Sequence, residues 1–309
     1  MTSVHQARYW VTLTLILVFS GSAWAEYCAT QGNPRIPKSE TWRYDWRVLL
    51  SVEEIVASEA KHLPWGRPDC SRYLFHKEYV LCYDVDRKVA HWASYRLERN
   101  DVKEGERWNA FRSDPRLPID QNPWCDDYSG SGFDRGHMVP RSDMNRLKST
   151  VVNSFLLTNM SPQYPNVNQG TWERLERLVR SWAQNSGWVH IISGSVFDQD
   201  NDGQPDSLAQ TSWSKPGGRV GVPSHFYKVV IRETSGGTLE AITLLIPNQA
   251  QGVPGRNASD ATKDAFLRQQ IVRITDIRLR TGLDLLPDLP GVQKALLETA
   301  ASSDLWPTN

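Results

Sequence analysis

Apolar and polar residues alternate along this chain with two different periods, and the change from one period to the other marks its elements. "YVLCYD" (79–84) and "VAHWASYRL" (89–97) are rich in β-branched and aromatic residues and flank the polar "VDRK", which predicts a β-hairpin. "TVVNSFLLT" (150–158), "WVHIIS" (188–193), "HFYKVVI" (225–231) and "LEAITLLI" (239–246) predict further strands. Two segments follow the helical period. In "TWERLERLVRSWAQ" (171–184), Trp172, Leu175, Val179 and Trp182 recur at three- and four-residue steps on one face. In "DAFLRQQIVRITDIRLRTG" (264–282), Phe266, Ile271, Ile274 and Ile277 recur similarly, with Gly282 the expected C-cap of a single helix. "SVEEIVASEA" (51–60) pairs Ser51 with Glu54 three residues on, a capping box for a short helix. Strands outnumber helices and do not alternate with them regularly. The predicted class is α+β, a mostly antiparallel sheet flanked by helices.

One apolar run fits neither pattern. Trp10–Phe19 follows the positive Arg8 and precedes "SAWA" (22–25), whose small residues suit a signal peptidase. The run is too short for a membrane span, which needs roughly 20 apolar residues. Residues 1–25 are expected to be a cleaved export signal, with no stable membrane association afterwards and a periplasmic or secreted destination. Removing 25 of the 309 residues leaves 284, enough for one large domain or two small ones. The chain has 35 basic and 35 acidic residues, and the signal removes only Arg8, so the mature chain stands at −1. A polyanion would therefore need a local basic patch, which the sequence does not locate. Cys28, Cys70, Cys82 and Cys125 all survive cleavage, and an even number in an exported chain predicts two disulfides in one of three connectivities. No Cys-x-x-Cys pair favours zinc instead.

Candidate chemistry concentrates in "SGSGFDRGHMVPRSDM" (129–144). His137 titrates near neutrality and suits a general base. Arg135 can clamp a phosphate with two donors, and Gly136 permits backbone that a side chain would forbid. Downstream, "LLTNMSPQYPNVNQGTWERLE" (156–176) carries Asn159, then Asn168 at the mouth of the amphipathic helix, with Glu176 on the same helix face two turns on. An amide carbonyl is a hard oxygen donor, and few protein ligands completed by waters suit Mg²⁺. Asn168 also suits a helix N-cap, a role compatible with the first. Trp172, Trp182 and Trp188 read as core, and His225 as structural.

These blocks resemble the DNA/RNA non-specific endonucleases, the endonuclease G-like family of the ββα-metal (His-Me finger) fold. The resemblance is carried by "DRGHMVP" (134–140), "TNMSPQ" (158–163) and "NQGTWERLE" (168–176), and continues through "GSVF" (194–197), "VPSHFYKVV" (222–230) and "RTGLDLLPDL" (280–289). It implies a nuclease domain over 77–290, a lead-in over 26–76 tethered by a disulfide, and a tail over 291–309. It implies His137 as general base, Asn168 as direct metal ligand, and Asn159 and Glu176 as residues orienting the site and the metal's waters. Arg135 would contact phosphate or support the sheet. "ERWNAFRSDP" (106–115) resembles the block bearing a transition-state arginine, assigned to Arg107 with Arg112 as the rival. Mg²⁺, with Mn²⁺ a substitute, is the implied cofactor, and DNA and RNA the implied substrates. Products would carry 5′-phosphates, and relatives often form homodimers.

"DQDNDGQPD" (198–206) puts Asp198, Asp200, Asp202, Gly203 and Asp206 at calcium-loop spacing, but Ala209 stands where a bidentate Glu belongs. An acidic surface loop is the simpler expectation, and a Ca²⁺ there would be structural. The rival class is a silent binding module on the same fold, disfavoured because it has no chemical need for both His137 and Asn168. A metalloprotease is set aside for lack of His-Glu-x-x-His.

Overall fold

A computed structural model describes residues 28, 48–105 and 109–308. The predicted export signal and Arg107 lie outside the described residues.

The hairpin of β2 (Val80–Asp84) and β3 (Val89–Glu98) forms as the alternation predicted. It seeds a seven-stranded antiparallel sheet with β1 (Tyr73–Phe75), β6 (Trp188–Val196), β9 (His225–Glu233), β10 (Leu239–Pro247) and β11 (Ile271–Val272), in the order β1-β2-β3-β6-β9-β10-β11. The short strands β7 (Ser212–Trp213) and β8 (Gly221–Val222) pair in a ribbon of their own. Successive side chains leave opposite faces of a strand. On β9, Phe226 and Val230 therefore join one core while Tyr227, Val229 and Ile231 join the other. The first core is closed by α3 (Glu173–Ser186), whose Leu175, Val179 and Trp182 are buried as the period required. The second is closed by α5 (Ile274–Thr281) and α6 (Gly291–Thr299) through Ile274, Ile277 and Leu297. The sheet's first strand thus lies within the segment expected as a lead-in. The expected tail joins the packed body, since α6 is part of it and Trp306 stacks edge-on against Trp182. Ser51 and Glu54 form the capping box of α1 (Val52–His62).

Two expectations fail. Residues 150–158 are not a strand: they form the end of α2 (Lys148–Asn153) and a 3₁₀ turn at Leu157–Asn159. Val151, Val152 and Phe155 pack as a helical face against Phe111, and the Arg112 guanidinium binds the Val152 carbonyl at 2.9 Å, placing positive charge at the helix C-terminus. Tertiary packing there outweighs the β-branched composition. Residues 264–282 are not one helix but α4 (Asp260–Gln269), β11 and α5, with Gly282 capping α5 at φ 71°. The chain changes faces at the sheet edge: Phe266 and Leu267 pack on the first core and Ile277 on the second. A continuous helix could not serve both.

The cysteines pair as Cys28–Cys125 and Cys70–Cys82. The second joins β2 to the approach to β1. The first anchors Cys28 against a small third core containing Phe111, Tyr128, Phe155 and Met160.

Candidate active site

A separate two-stranded ribbon lies against the first core: β4 (Asp134–His137) pairs with β5 (Met160–Gln163), in the register His137↔Met160 and Asp134↔Gln163. A Cβ on Gly136 would come within 2.1 Å of the Gln163 side chain, so a larger residue there would have to displace that buried glutamine. Asn159 locks the chain leaving His137. Its Oδ1 accepts from Val139 N at 3.0 Å, and its Nδ2 donates to the carbonyls of Val139 and Ser154 at 2.9 and 2.8 Å. Fully buried, it orients the site through backbone rather than by facing the cleft.

Asn168 does not open an α-helix as expected. It lies in a π-helical turn (Val167–Trp172) that runs into α3, a local widening that often accompanies functional sites. Its Nδ2 donates to Asp134 Oδ2 at 2.8 Å, and Gln169 Nε2 donates to the same oxygen at 2.8 Å. An ionised carboxylate only accepts hydrogen bonds, so Asp134 selects the amide nitrogen and leaves the carbonyl oxygen of Asn168 for the cleft. Trp172 Nε1 donates to the His137 carbonyl at 3.3 Å, tying the turn to β4.

These parts meet in a cleft of about 950 Å³ lined by His137, Asn168, Glu176, Arg135 and Asp134. The His137 ring is set edge-on against Phe155 at 5.1 Å. Arg135 lies over the rings of Phe111 (5.0 Å) and Tyr128 (5.9 Å), with the Cys125 carbonyl 3.5 Å away; burial pushes its guanidinium pKa down. Burial pushes the Glu176 carboxyl up, opposed first by the ammonium of Lys228 and then by Arg180. Lys228, almost fully buried on β9, donates to Ser193 Oγ at 2.6 Å and sits 4.4 Å from the Trp172 ring. Arg180 pairs with buried Asp143, which also accepts from Tyr95. Arg141, Arg177, Arg256 and Lys263 also line the cleft, so with Arg135 it carries five cationic side chains beside the acids Asp134, Glu173 and Glu176.

A family model described as DNA/RNA non-specific endonuclease matches residues 62–291. The chain belongs to this family. Nuclease C1 of Cunninghamella echinulata var. echinulata is 32% identical over 235 residues, covering 74% of this chain and 88% of that protein. A Nostoc sp. nuclease is 30% identical over 260 residues (79% and 88%), and human mitochondrial endonuclease G is 29% identical over 230 (73% of each). The solved EndoG/EndoGI complex superposes with a TM-score of 0.64 at 23% identity, covering 78% of this chain and 95% of that one. That likeness shows the fold.

In this endonuclease the rival transition-state arginine is excluded from the cleft: Arg112 is fully buried and bound to α2. Among the Asp-rich residues, Asp198, Asp200 and Asp202 bring carboxylate oxygens within 4.8 Å of one another. Asp206 instead accepts from Gln199 N at 2.7 Å, and Asp198 already pairs with Arg280. No helices flank the loop, which runs from β6 to a 3₁₀ turn at Leu208–Gln210. Sequence reasoning missed Asp134 as the amide's anchor, Lys228 beneath Glu176, and Arg256. For Asp134 the signal was present as the first letter of the His137 motif. Lys228 reads only as a lysine in an apolar strand.

Proposed function

We propose that this endonuclease hydrolyses DNA and RNA phosphodiesters with little sequence preference, using His137 as general base and a divalent cation, Mg²⁺ with Mn²⁺ as substitute. The observation that carries the reading is the cleft in which His137, the oriented carbonyl of Asn168 and Glu176 come together among cations. Hard oxygen donors, few in number, fit Mg²⁺: Asn168 would hold it directly and Glu176 through water. When bound, the ion would supply positive charge against the phosphate and the leaving 3′ oxygen.

The chain's own residues do the rest. His137 takes a proton from the water that attacks phosphorus in line. Asp134 holds the Asn168 amide, Trp172 holds the His137 carbonyl and Asn159 the chain leaving it, and Arg135 faces the phosphate. Arg107 is the proposed transition-state arginine. Recognition runs through backbone phosphates, so binding is salt-sensitive and weakly sequence-selective.

We further propose export, supported by the signal-like N-terminus and two disulfides. Among the described residues no helix is long and apolar enough to cross a membrane. A Ca²⁺ in the Asp198–Asp202 loop would brace that loop and take no part in cleavage. End-group analysis tests the chemistry: cleaved DNA should carry 5′-phosphates that exclude kinase labelling until dephosphorylated. Products with 5′-hydroxyls would contradict water attack with a 3′-oxygen leaving group.

A further inference from the structure

Five cations line the cleft, and four of them are engaged by the protein. Arg177 pairs with Glu173 and Asp260. Lys263 is buried and donates to the Arg256 carbonyl at 3.2 Å. Arg141 donates to the Gly105 carbonyl and Ser142, and Arg135 lies over Phe111 and Tyr128. Arg256 differs: it is exposed, and its guanidinium makes no hydrogen bond or ion pair among the described residues.

Its backbone is nevertheless firmly placed. Asn166 Nδ2 donates to the carbonyls of Gln249 (2.9 Å) and Val253 (3.1 Å), and Thr171 Oγ1 donates to that of Pro254 (2.9 Å). A Cβ on Gly170 would come within 2.5 Å of the Pro254 carbonyl oxygen. The loop bearing Arg256 is therefore docked on the same π-turn that presents Asn168. Glu173, one of the acids lining the cleft, pairs with Arg177. An unpaired guanidinium on fixed backbone in the cleft that also holds His137 and Asn168 suits a fixed anion, which it can grip with two donors.

We propose that Arg256 clamps a second phosphate of the polynucleotide, neighbouring the one that is cleaved, so that the enzyme prefers strands to dinucleotides. This rests on the nuclease reading and names the substrate's minimal form: two phosphodiesters in one strand. Arg256 contacts substrate but not the reacting atoms, so its loss acts on KM.

The test compares wild type, Arg256→Ala, Arg256→Lys and a control, Arg273→Ala, whose side chain is exposed and paired with Asp276 on α5. Each cleaves a single-stranded oligonucleotide and a dinucleoside monophosphate with Mg²⁺ across a salt series. Arg256→Ala should raise the oligonucleotide KM about ten-fold with kcat within about two-fold, and lower the salt slope by about one. Arg256→Lys should fall between, and Arg273→Ala should match wild type. The loss should not extend to the dinucleotide, which has one phosphate. Equal losses on both substrates, or none on either, would overturn the inference. If wild type cleaves neither, the nuclease reading fails, and anisotropy of a labelled oligonucleotide decides the clamp separately. Binding weakened by Arg256→Ala retains it; binding unchanged removes it.

Discussion

Asp134 accepts from the Asn168 amide nitrogen, which leaves the amide oxygen as the group that Asn168 can offer a cation. Partners of metal-ligating groups typically matter 10–100-fold in affinity or activity. Asp134→Ala should therefore weaken Mn²⁺ binding, followed by calorimetry, and lower activity by about that factor while melting near wild type. Unchanged Mn²⁺ affinity would show that the amide needs no anchor. Two buried histidines give a second expectation at this scale. The His62 ring accepts from Arg96 N and the His190 ring bonds Ser94 Oγ, and burial pushes each down to about 3 from an ordinary 6.5. They stay neutral in the fold while the unfolded chain takes up protons, so their stabilisation is intact above pH 6.5 and is lost progressively towards pH 3. Urea midpoints should fall between pH 6.5 and 4.5, and His190→Asn, which cannot titrate, should flatten part of that fall. His137, Asn168 and Glu176 were legible because each is a reactive type at motif spacing. Arg256 was not: an arginine in a Gly/Pro-rich loop gains meaning only from what its neighbours leave unpaired.

Among the elements, the π-turn connects everything: it carries Asn168, binds His137 through Trp172, and receives the Arg256 loop on Gly170. Gly170→Ala puts a methyl against backbone, which cannot swing aside as a side-chain tip can. A loss of about 1–3 kcal/mol is expected, read by thermal unfolding, with the oligonucleotide KM raised as the loop shifts. A melting point and KM like wild type would mean that the loop yields freely. Periodicity revealed α3 and the central strands because each buries one regular face. It misread 150–158 and 264–282, where the determining contacts are distant: Arg112 capping α2, and a sheet edge that the chain must cross. The π-turn has no sequence period of its own, so Asn168 appeared as the start of an ordinary helix.

Across the whole molecule, near-neutral net charge hides a cleft lined by five cations, a distribution that composition does not carry. The disulfide framework acts on this cleft too. Cys28–Cys125 links residues 97 apart, and the Cys125 turn leads to Tyr128, whose ring Arg135 faces. Cys28→Ser with Cys125→Ser should cost about 2–5 kcal/mol in denaturant unfolding and lower cleavage more than the Cys70/Cys82 pair of serines does. Equal activity losses in the two double variants would separate the bond from Arg135. The even cysteine count made two bridges legible, but only the fold selects the pairing.

The most direct measurement is cleavage of supercoiled plasmid and of RNA by residues 26–309, with Mg²⁺, with EDTA, and with His137→Ala. The expected result is degradation of both substrates with Mg²⁺, none with EDTA, and a drop of about 10²–10⁴-fold in the folded His137→Ala protein. Well-folded wild type that cleaves neither substrate with Mg²⁺ or Mn²⁺, or His137→Ala that cleaves as wild type does, would contradict it.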